Sequence, residues 1–141
     1  MSIRVMLVDD QPDFREGMAL LLGAEEDLEV VAEAGNGSDG LRLAMNTRPD
    51  VVLMDLRMPV MDGVETTKKL RRALPQTKII ALTTFDDDQL VFDVLREGAL
   101  SYLLKDASAE QVAEAIRAAS EGRSVLSKGV TDKVVSEFAR M

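Results

Sequence analysis

The chain changes period in a regular way. Five short apolar runs, rich in β-branched residues, are each followed by a segment whose apolar residues recur every three or four positions. The first run, Ile3–Val8, stops at Asp9-Asp10-Gln11-Pro12 and has the length and composition of a strand. From Pro12 to Gly23, Phe14, Met18, Leu21 and Leu22 fall on one helical face, with proline where a first turn tolerates it and glycine as the stop. Residues 28–32 read as a second strand, Asn36-Gly37 as a turn, and 38–46 as a helix presenting Leu41, Leu43 and Ala44, with Met45 extending its buried side. Val51–Met54 is continuously apolar, as a strand covered on both faces must be. Helices at 64–73, 87–97 and 109–121 and strands at 78–82 and Ser101–Leu104 complete five β/α units. Strict alternation with short connections predicts an α/β fold: a doubly wound, five-stranded parallel sheet with right-handed crossovers and helices on both faces.

In such a sheet, polar side chains just past the carboxyl ends of the strands gather at one edge, where ligands bind. Asp9 and Asp10 follow strand 1, Asp55 follows strand 3, Thr83 and Thr84 follow strand 4, and Lys105 follows strand 5. The sequence has no Cys and no His, which removes disulfides, thiolate and Ser-His-Asp chemistry, and Cys- or His-ligated metals. A metal here must be held by oxygen. Three converging carboxylates repel one another unless a cation joins them, and magnesium takes oxygen ligands from one or two carboxylates plus phosphate. Lys105 can pair with an incoming phosphoryl group, Thr83 can donate to one, and a carboxylate, Asp55, is the natural nucleophile.

Charge and hydropathy narrow the setting. The net charge is −8. Residues 122–141 hold four basic and two acidic side chains, so the balance of the first 121 is more negative still. A surface of that sign opposes a phosphate backbone. No apolar run approaches the roughly 18 residues that a spanning helix needs, and the N-terminus turns acidic too soon for a signal peptide, so a cytoplasmic location and no membrane partner are expected.

The acids Asp9-Asp10, the run Asp55-Leu56-Arg57-Met58-Pro59-Val60-Met61-Asp62-Gly63, Thr83 after strand 4 and Tyr102-Leu103-Leu104-Lys105 together resemble the receiver domains of bacterial two-component response regulators. Thr83-Thr84-Phe85, Gly98-Ala99 and Lys105-Asp106-Ala107 look most similar to the NarL/FixJ subfamily, whose members carry a LuxR-type helix-turn-helix output domain. The resemblance covers residues 1–121 and implies a flavodoxin-like (βα)5 receiver. It implies that Asp55 accepts phosphate from the phosphohistidine of a sensor histidine kinase. Mg²⁺ would be held by Asp10, Asp55 and the Arg57 backbone carbonyl, with Asp9 acting directly or through water. Lys105 would grip the phosphoryl group, Thr83 would move toward it, and Tyr102 would swing inward, changing the surface around helix 4. Such a chain is a regulator that assists its own phosphorylation and dephosphorylation rather than an enzyme. Phosphorylation-dependent homodimerisation is implied, through helices 1 and 5 or through the helix 4–helix 5 side.

Each element also has a plainer reading. Asp9-Asp10 alone suits a helix N-terminus, Met58-Pro59 through Asp62-Gly63 a turn, Thr83 a strand-closing hydroxyl, Asp86-Asp87-Asp88 a solvated helix start, and Tyr102 a strand aromatic. The constellation, not any one member, carries the chemistry. Leu90, Val91, Val94 and Leu95 form a core stripe that leaves Phe92 exposed, and Val112, Ala115, Ile116 and Ala119 face the sheet from the last of the five helices. Arg57, Thr84 and Phe85 stand where they could gate water. Asp106 follows Lys105 where many receivers have proline, so a cis peptide cannot be assumed there. After Gly122, Val130, Val134, Val135 and Phe138 suit a further amphipathic helix. Residues 122–141 are expected to be a linker leading to a helix-turn-helix domain outside this sequence, so that a piece of a longer protein is favoured over a naturally lone receiver. A small-molecule phosphatase would need a lid, for which there is little room, and a flavin carrier would need a phosphate-cradling loop where Asp9 and Asp10 stand.

Overall fold

The computed structural model describes residues 2–84, 88–126 and 128–140. The strands are β1 (Ile3–Val8), β2 (Leu28–Ala34), β3 (Val51–Met54), β4 (Lys78–Thr83) and β5 (Ser101–Leu104). The helices are α1 (Pro12–Gly23), α2 (Gly37–Thr47), α3 (Gly63–Ala73), α4 (Asp88–Arg96), α5 (Ala109–Ser120) and α6 (Lys128–Arg140). All strand pairs are parallel, in the order β2-β1-β3-β4-β5. The order reverses between β1 and β3, which places a crevice above their carboxyl ends.

Alternate residues of each strand feed two cores. Met6, Val8, Val52, Met54, Ile79, Ala81 and Tyr102 face the side covered by α2, α3 and α4. Val5, Leu7, Val51, Leu53, Ile80, Leu82 and Leu103 face α1 and α5. Both sets are buried, which is why the strands read as unbroken apolar runs rather than alternating ones. Helix α5 starts with a reciprocal cap: the Gln111 amide donates to Ser108 Oγ (3.1 Å), and the Ser108 amide donates to Gln111 Oε1 (2.8 Å). Its Val112, Ala115, Ile116 and Ala119 are wholly buried, as the period predicts. Farther along α5, the Arg117 guanidinium grips Asp27 from two sides, at 2.7 and 2.9 Å. That pairing holds the Asp27 carboxyl below the usual range.

Several expectations need correction. Leu21 is 57% exposed and Met45 43% exposed, so neither extends a buried face. The Phe14–Met18–Leu22 row points inward on α1, and Leu21 stands a quarter turn away from Leu22. Phe92 is half-buried rather than exposed. Strand β2 runs two residues longer than expected, to Ala34, because it pairs with β1 as far as Val8. The Phe85, Asp86 and Asp87 readings lie outside the described residues, as does the Val130 side chain. No peptide bond among the described residues is cis.

Past α5 the chain turns back along the edge of the sheet. The Val125 amide donates to Ser101 Oγ (2.8 Å), and Leu126 forms a parallel bridge to Tyr102, covering part of the otherwise open β5 edge. Helix α6 then lies against α4, with Val134 packed on the core while Val135 and Phe138 stay exposed. No helix among the described residues is long and apolar enough to cross a membrane.

Candidate functional site

Val8 and Met54 are direct partners in the β1–β3 ladder, so the residues that follow them emerge side by side. The Asp55 amide donates to the Val8 carbonyl (2.9 Å), and the Asp9 amide donates to the Ala34 carbonyl (3.0 Å). Both acids therefore stand on backbone still tied into the sheet. Carboxylate oxygens of Asp9, Asp10 and Asp55 lie within 4.8 Å of one another, with Asp9 and Asp55 buried and Asp10 exposed. Gly63 lets the start of α3 close over this strand end. A Cβ there would collide with the Asp55 carbonyl oxygen and sit 2.7 Å from Leu56 Cα. The Asp62 carboxylate is occupied as the α3 N-cap, accepting from the Glu65 amide at 2.9 Å, so it belongs to the turn and not to the acidic cluster.

Lys105 reaches in from the far edge of the sheet. Its amide donates to the Thr83 carbonyl (2.8 Å), which locks the ends of β4 and β5 together and aims the long stem across β4. Its Nζ lies 2.7 Å from Asp9 Oδ2 and 3.5 Å from Asp55 Oδ2. Gln11 Oε1 accepts from the same ammonium at 2.7 Å, and the centroid of the Phe14 ring lies 4.6 Å from it. One ammonium cannot balance three carboxylates. Burial foremost, then the neighbouring Asp9 charge, pushes the Asp55 carboxyl up to about 6, with Lys105 offsetting only part of the rise.

This donor set fits a hard divalent cation. Around Mg²⁺ at roughly 2.1 Å per ligand, octahedral geometry sets oxygens about 3 to 4 Å apart, so carboxylates already within 4.8 Å need only a small inward adjustment. The ligand atoms are all oxygen, and the cluster carries an excess of negative charge in a largely buried place, which a cation would relieve.

On the strand next to β3, Thr83 closes β4. Its side chain is fully buried, and Oγ1 has no hydrogen-bond partner among the described residues. Such an atom costs free energy until a partner arrives. Tyr102 pairs with Ala81 in the β4–β5 ladder, and Thr83 stands two residues beyond Ala81. Thr83 and Tyr102 are thus diagonal neighbours on the α4 side of the sheet, and Tyr102 is wholly buried. Arg57 stands two residues beyond Asp55 with an exposed side chain, and Thr84 is exposed at the β4 end.

The structure therefore brings Asp9, Asp10, Asp55 and Lys105 together, sets Thr83 at the mouth of the same edge, and places Tyr102 behind it. Sequence reasoning missed Gln11, Phe14 and Arg15. Arg15 Nη1 donates to the Asp9 carbonyl at 2.7 Å, and its Nε lies 3.4 Å from Glu33 Oε1, so α1 holds the acidic turn from behind. Phe14 hides inside a stripe that reads as core, and a lone Gln beside two Asp residues gives no signal without knowing where Lys105 lands.

Comparison with known proteins agrees with this arrangement. The family described as the response regulator receiver domain matches residues 5–117. The transcriptional regulatory protein LiaR of Bacillus subtilis (strain 168) is 52% identical over 136 residues, covering 96% of this chain and 64% of LiaR. The chain thus spans just under two thirds of that relative's length. Among solved structures, the crystal structure of a LuxR-family two-component response regulator from Aurantimonas sp. SI85-9A1 superposes with a TM-score of 0.90 at 31% identity, covering 99% of each chain. The signal receiver domain of the putative response regulator NarL from Mycobacterium tuberculosis gives 0.82 at 36% identity, over 86% of this chain and 98% of that one. The acid cluster at the switch of a β2-β1-β3-β4-β5 sheet, the lysine that reaches it and these similarities lead to one conclusion: the chain belongs to the response regulator receiver family, in its NarL/LuxR branch.

Proposed function

We propose that this chain is a phosphorylation-dependent switch in which Asp55 takes a phosphoryl group from the phosphohistidine of a sensor histidine kinase. The observation that carries the reading is the cluster of Asp9, Asp10 and Asp55 within 4.8 Å, with the Lys105 ammonium 3.5 Å from Asp55. In the transfer, an Asp55 carboxylate oxygen forms a bond to phosphorus while the phosphorus–nitrogen bond breaks and its electron pair returns to the imidazole. Asp9, Asp10, Asp55 and the Arg57 carbonyl are the proposed ligands of Mg²⁺. When bound, that ion would neutralise the acids and offset the charge of the incoming phosphoryl oxygens.

Lys105 pairs with a phosphoryl oxygen once Asp55 is modified. Thr83 Oγ1, buried and unpartnered among the described residues, donates to another, which ends its desolvation cost and draws the end of β4 toward Asp55. Tyr102, its diagonal neighbour and already wholly buried here, shifts within the core into the space that Thr83 leaves, which changes the α4 and β5 surface. The shift in population can be no larger than the difference in contact free energy between the two states, typically about 1 to 3 kcal/mol. The same site residues assist both gain and loss of the phosphoryl group. Arg57 and Thr84, on the rim of the site, tune how readily water reaches the aspartyl phosphate.

Residues 1–121 are the receiver and 122–141 the lead into an output domain. Control of transcription runs through phosphorylation-dependent homodimerisation and DNA binding by that domain. The test is intact mass after incubation with acetyl phosphate, with and without Mg²⁺, for the wild-type chain and Asp55→Asn. One added phosphoryl group, only with Mg²⁺ and absent in the variant, is the expected result. No modification, or modification that persists in Asp55→Asn, overturns the assignment.

A further inference from the structure

We infer that Phe14, together with Gln11, is a positioning residue for Lys105: a seat that holds the ammonium between Asp9 and Asp55, within reach of a group arriving on Asp55. The inference rests on the proposed phosphoacceptor reading and extends it to residues that reading does not use.

The geometry around Nζ is lopsided. An ammonium has three N–H donors. One meets Asp9 Oδ2 at 2.7 Å and one meets Gln11 Oε1 at 2.7 Å, while Asp55 Oδ2 stands at 3.5 Å. Coulomb attraction alone would draw Lys105 toward Asp9 and Asp10, which are consecutive in the chain and both acidic. The Phe14 ring also meets Nζ, its centroid 4.6 Å away and well inside the roughly 6 Å range of a cation–π contact. A ring face attracts the charge without consuming a directed donor, so it holds the ammonium while leaving a hydrogen free to turn toward Asp55. Gln11 does the complementary work. As a neutral acceptor it occupies one donor without adding negative charge to the cluster.

The seat itself is rigid. Phe14 lies in the first turn of α1, behind Pro12, and is half-buried against the core shared by α1 and α5. The Arg15 amide donates to the Gln11 carbonyl at 3.0 Å, and the Gln11 amide donates to Asp9 Oδ1 at 2.8 Å. Acid, amide and ring are thus fixed to one another within a single turn of chain. The Lys105 side chain they surround is only 7% exposed. A purely structural Phe14 would need only apolar volume there, and the inference differs by requiring a π face.

The test compares Phe14→Leu, Phe14→Met, Phe14→Tyr and Gln11→Met in the full chain. Aspartyl-phosphate formation from acetyl phosphate is followed by intact mass across donor and Mg²⁺ concentrations, with thermal unfolding recorded for each variant. The expected result is a maximal rate about fivefold lower for Phe14→Leu and Phe14→Met, with the Mg²⁺ concentration for half-maximal rate unchanged. Phe14→Tyr, which keeps the ring face, stays within about twofold of wild type, and Gln11→Met falls about two- to threefold. Leu and Met variants that phosphorylate at the wild-type rate overturn the inference, even if their unfolding temperature drops. So does a Phe14→Tyr rate as low as that of Phe14→Leu, or a loss wholly explained by weaker Mg²⁺ binding. Failure of the wild-type chain to be modified at Asp55 would instead remove the underlying reading, so the two failures are distinct.

Discussion

The acidic pocket above β1 and β3 and the Thr83–Tyr102 corner at β4 and β5 share one edge of one sheet, yet they hold unfavourable free energy in different forms. In the pocket, two buried carboxylates and a third nearby face a single ammonium, and the Asp55 carboxyl rises to about 6. In the corner the cost is that of a buried hydroxyl with no partner among the described residues, beside a wholly buried tyrosine. The first kind of cost responds to protons and cations, the second only to a hydrogen-bond acceptor coming within reach. A phosphoryl group offers oxygens to both regions at once, so a single modification can link them.

Gly63→Ala should break the comparison altogether by deforming the pocket. The added Cβ collides with the Asp55 carbonyl, and backbone cannot give way as a side chain does. A loss of roughly 3 to 5 kcal/mol in urea unfolding is expected. A loss under about 1 kcal/mol would mean that α3 can slide without cost.

Asp55→Asn should sharpen it. The folded state holds the Asp55 proton more tightly than the unfolded chain, where the value is 3.8. In the metal-free protein, stability from this group is therefore highest below about pH 4, falls as pH rises to about 6, and is level above that. The variant should lose that fall and be roughly 2 to 3 kcal/mol more stable than wild type at pH 7.5, with the gap closing by pH 4. Denaturation curves with EDTA at both pH values check this, and an equal gap at the two would contradict the electrostatic account.

Thr83→Val tests the corner. Replacing a buried hydroxyl that has no partner among the described residues with a methyl of similar shape should stabilise the protein by about 1 kcal/mol, with no dependence on pH between 4.5 and 7.5. Destabilisation would show that the hydroxyl has a partner in solution.

The smallest effect is expected at the rim. Val60 is β-branched, 93% exposed and held at φ 74°, in the left-handed region. Val60→Gly should relieve that strain for a gain of about 0.5 to 1 kcal/mol, seen as a slightly higher unfolding temperature. A drop would show that the exposed side chain packs in solution.

Element types were legible because both periods are strong: strands buried on two faces are short and wholly apolar, and helices such as α5 carry their stripe without interruption. Boundaries were less so. Strand β2 gains its last two residues from pairing with β1, and α2 begins one residue early, at Gly37, where the side chain of its N-cap Asn36 accepts from the Asp39 amide. Asp9, Asp10, Asp55, Thr83 and Lys105 could be chosen in advance because the doubly wound topology sends every strand end to the same edge. Leu21 and Met45 were misjudged because a stripe read from spacing is wider than the surface a neighbouring sheet covers.

What the sequence determined by itself was the order of elements, the parallel sheet and the acids at its carboxyl edge, since these follow from local period and composition. What only the tertiary structure decided was which partners each charge meets. The Lys105 ammonium reaches Asp9, Gln11 and Phe14 across more than ninety residues of chain, and the Thr83 hydroxyl is left without a hydrogen-bond partner among the described residues. Distances of that kind are set by how strands line up in register and how helices pack on them, and local sequence carries no record of either until the sheet has closed.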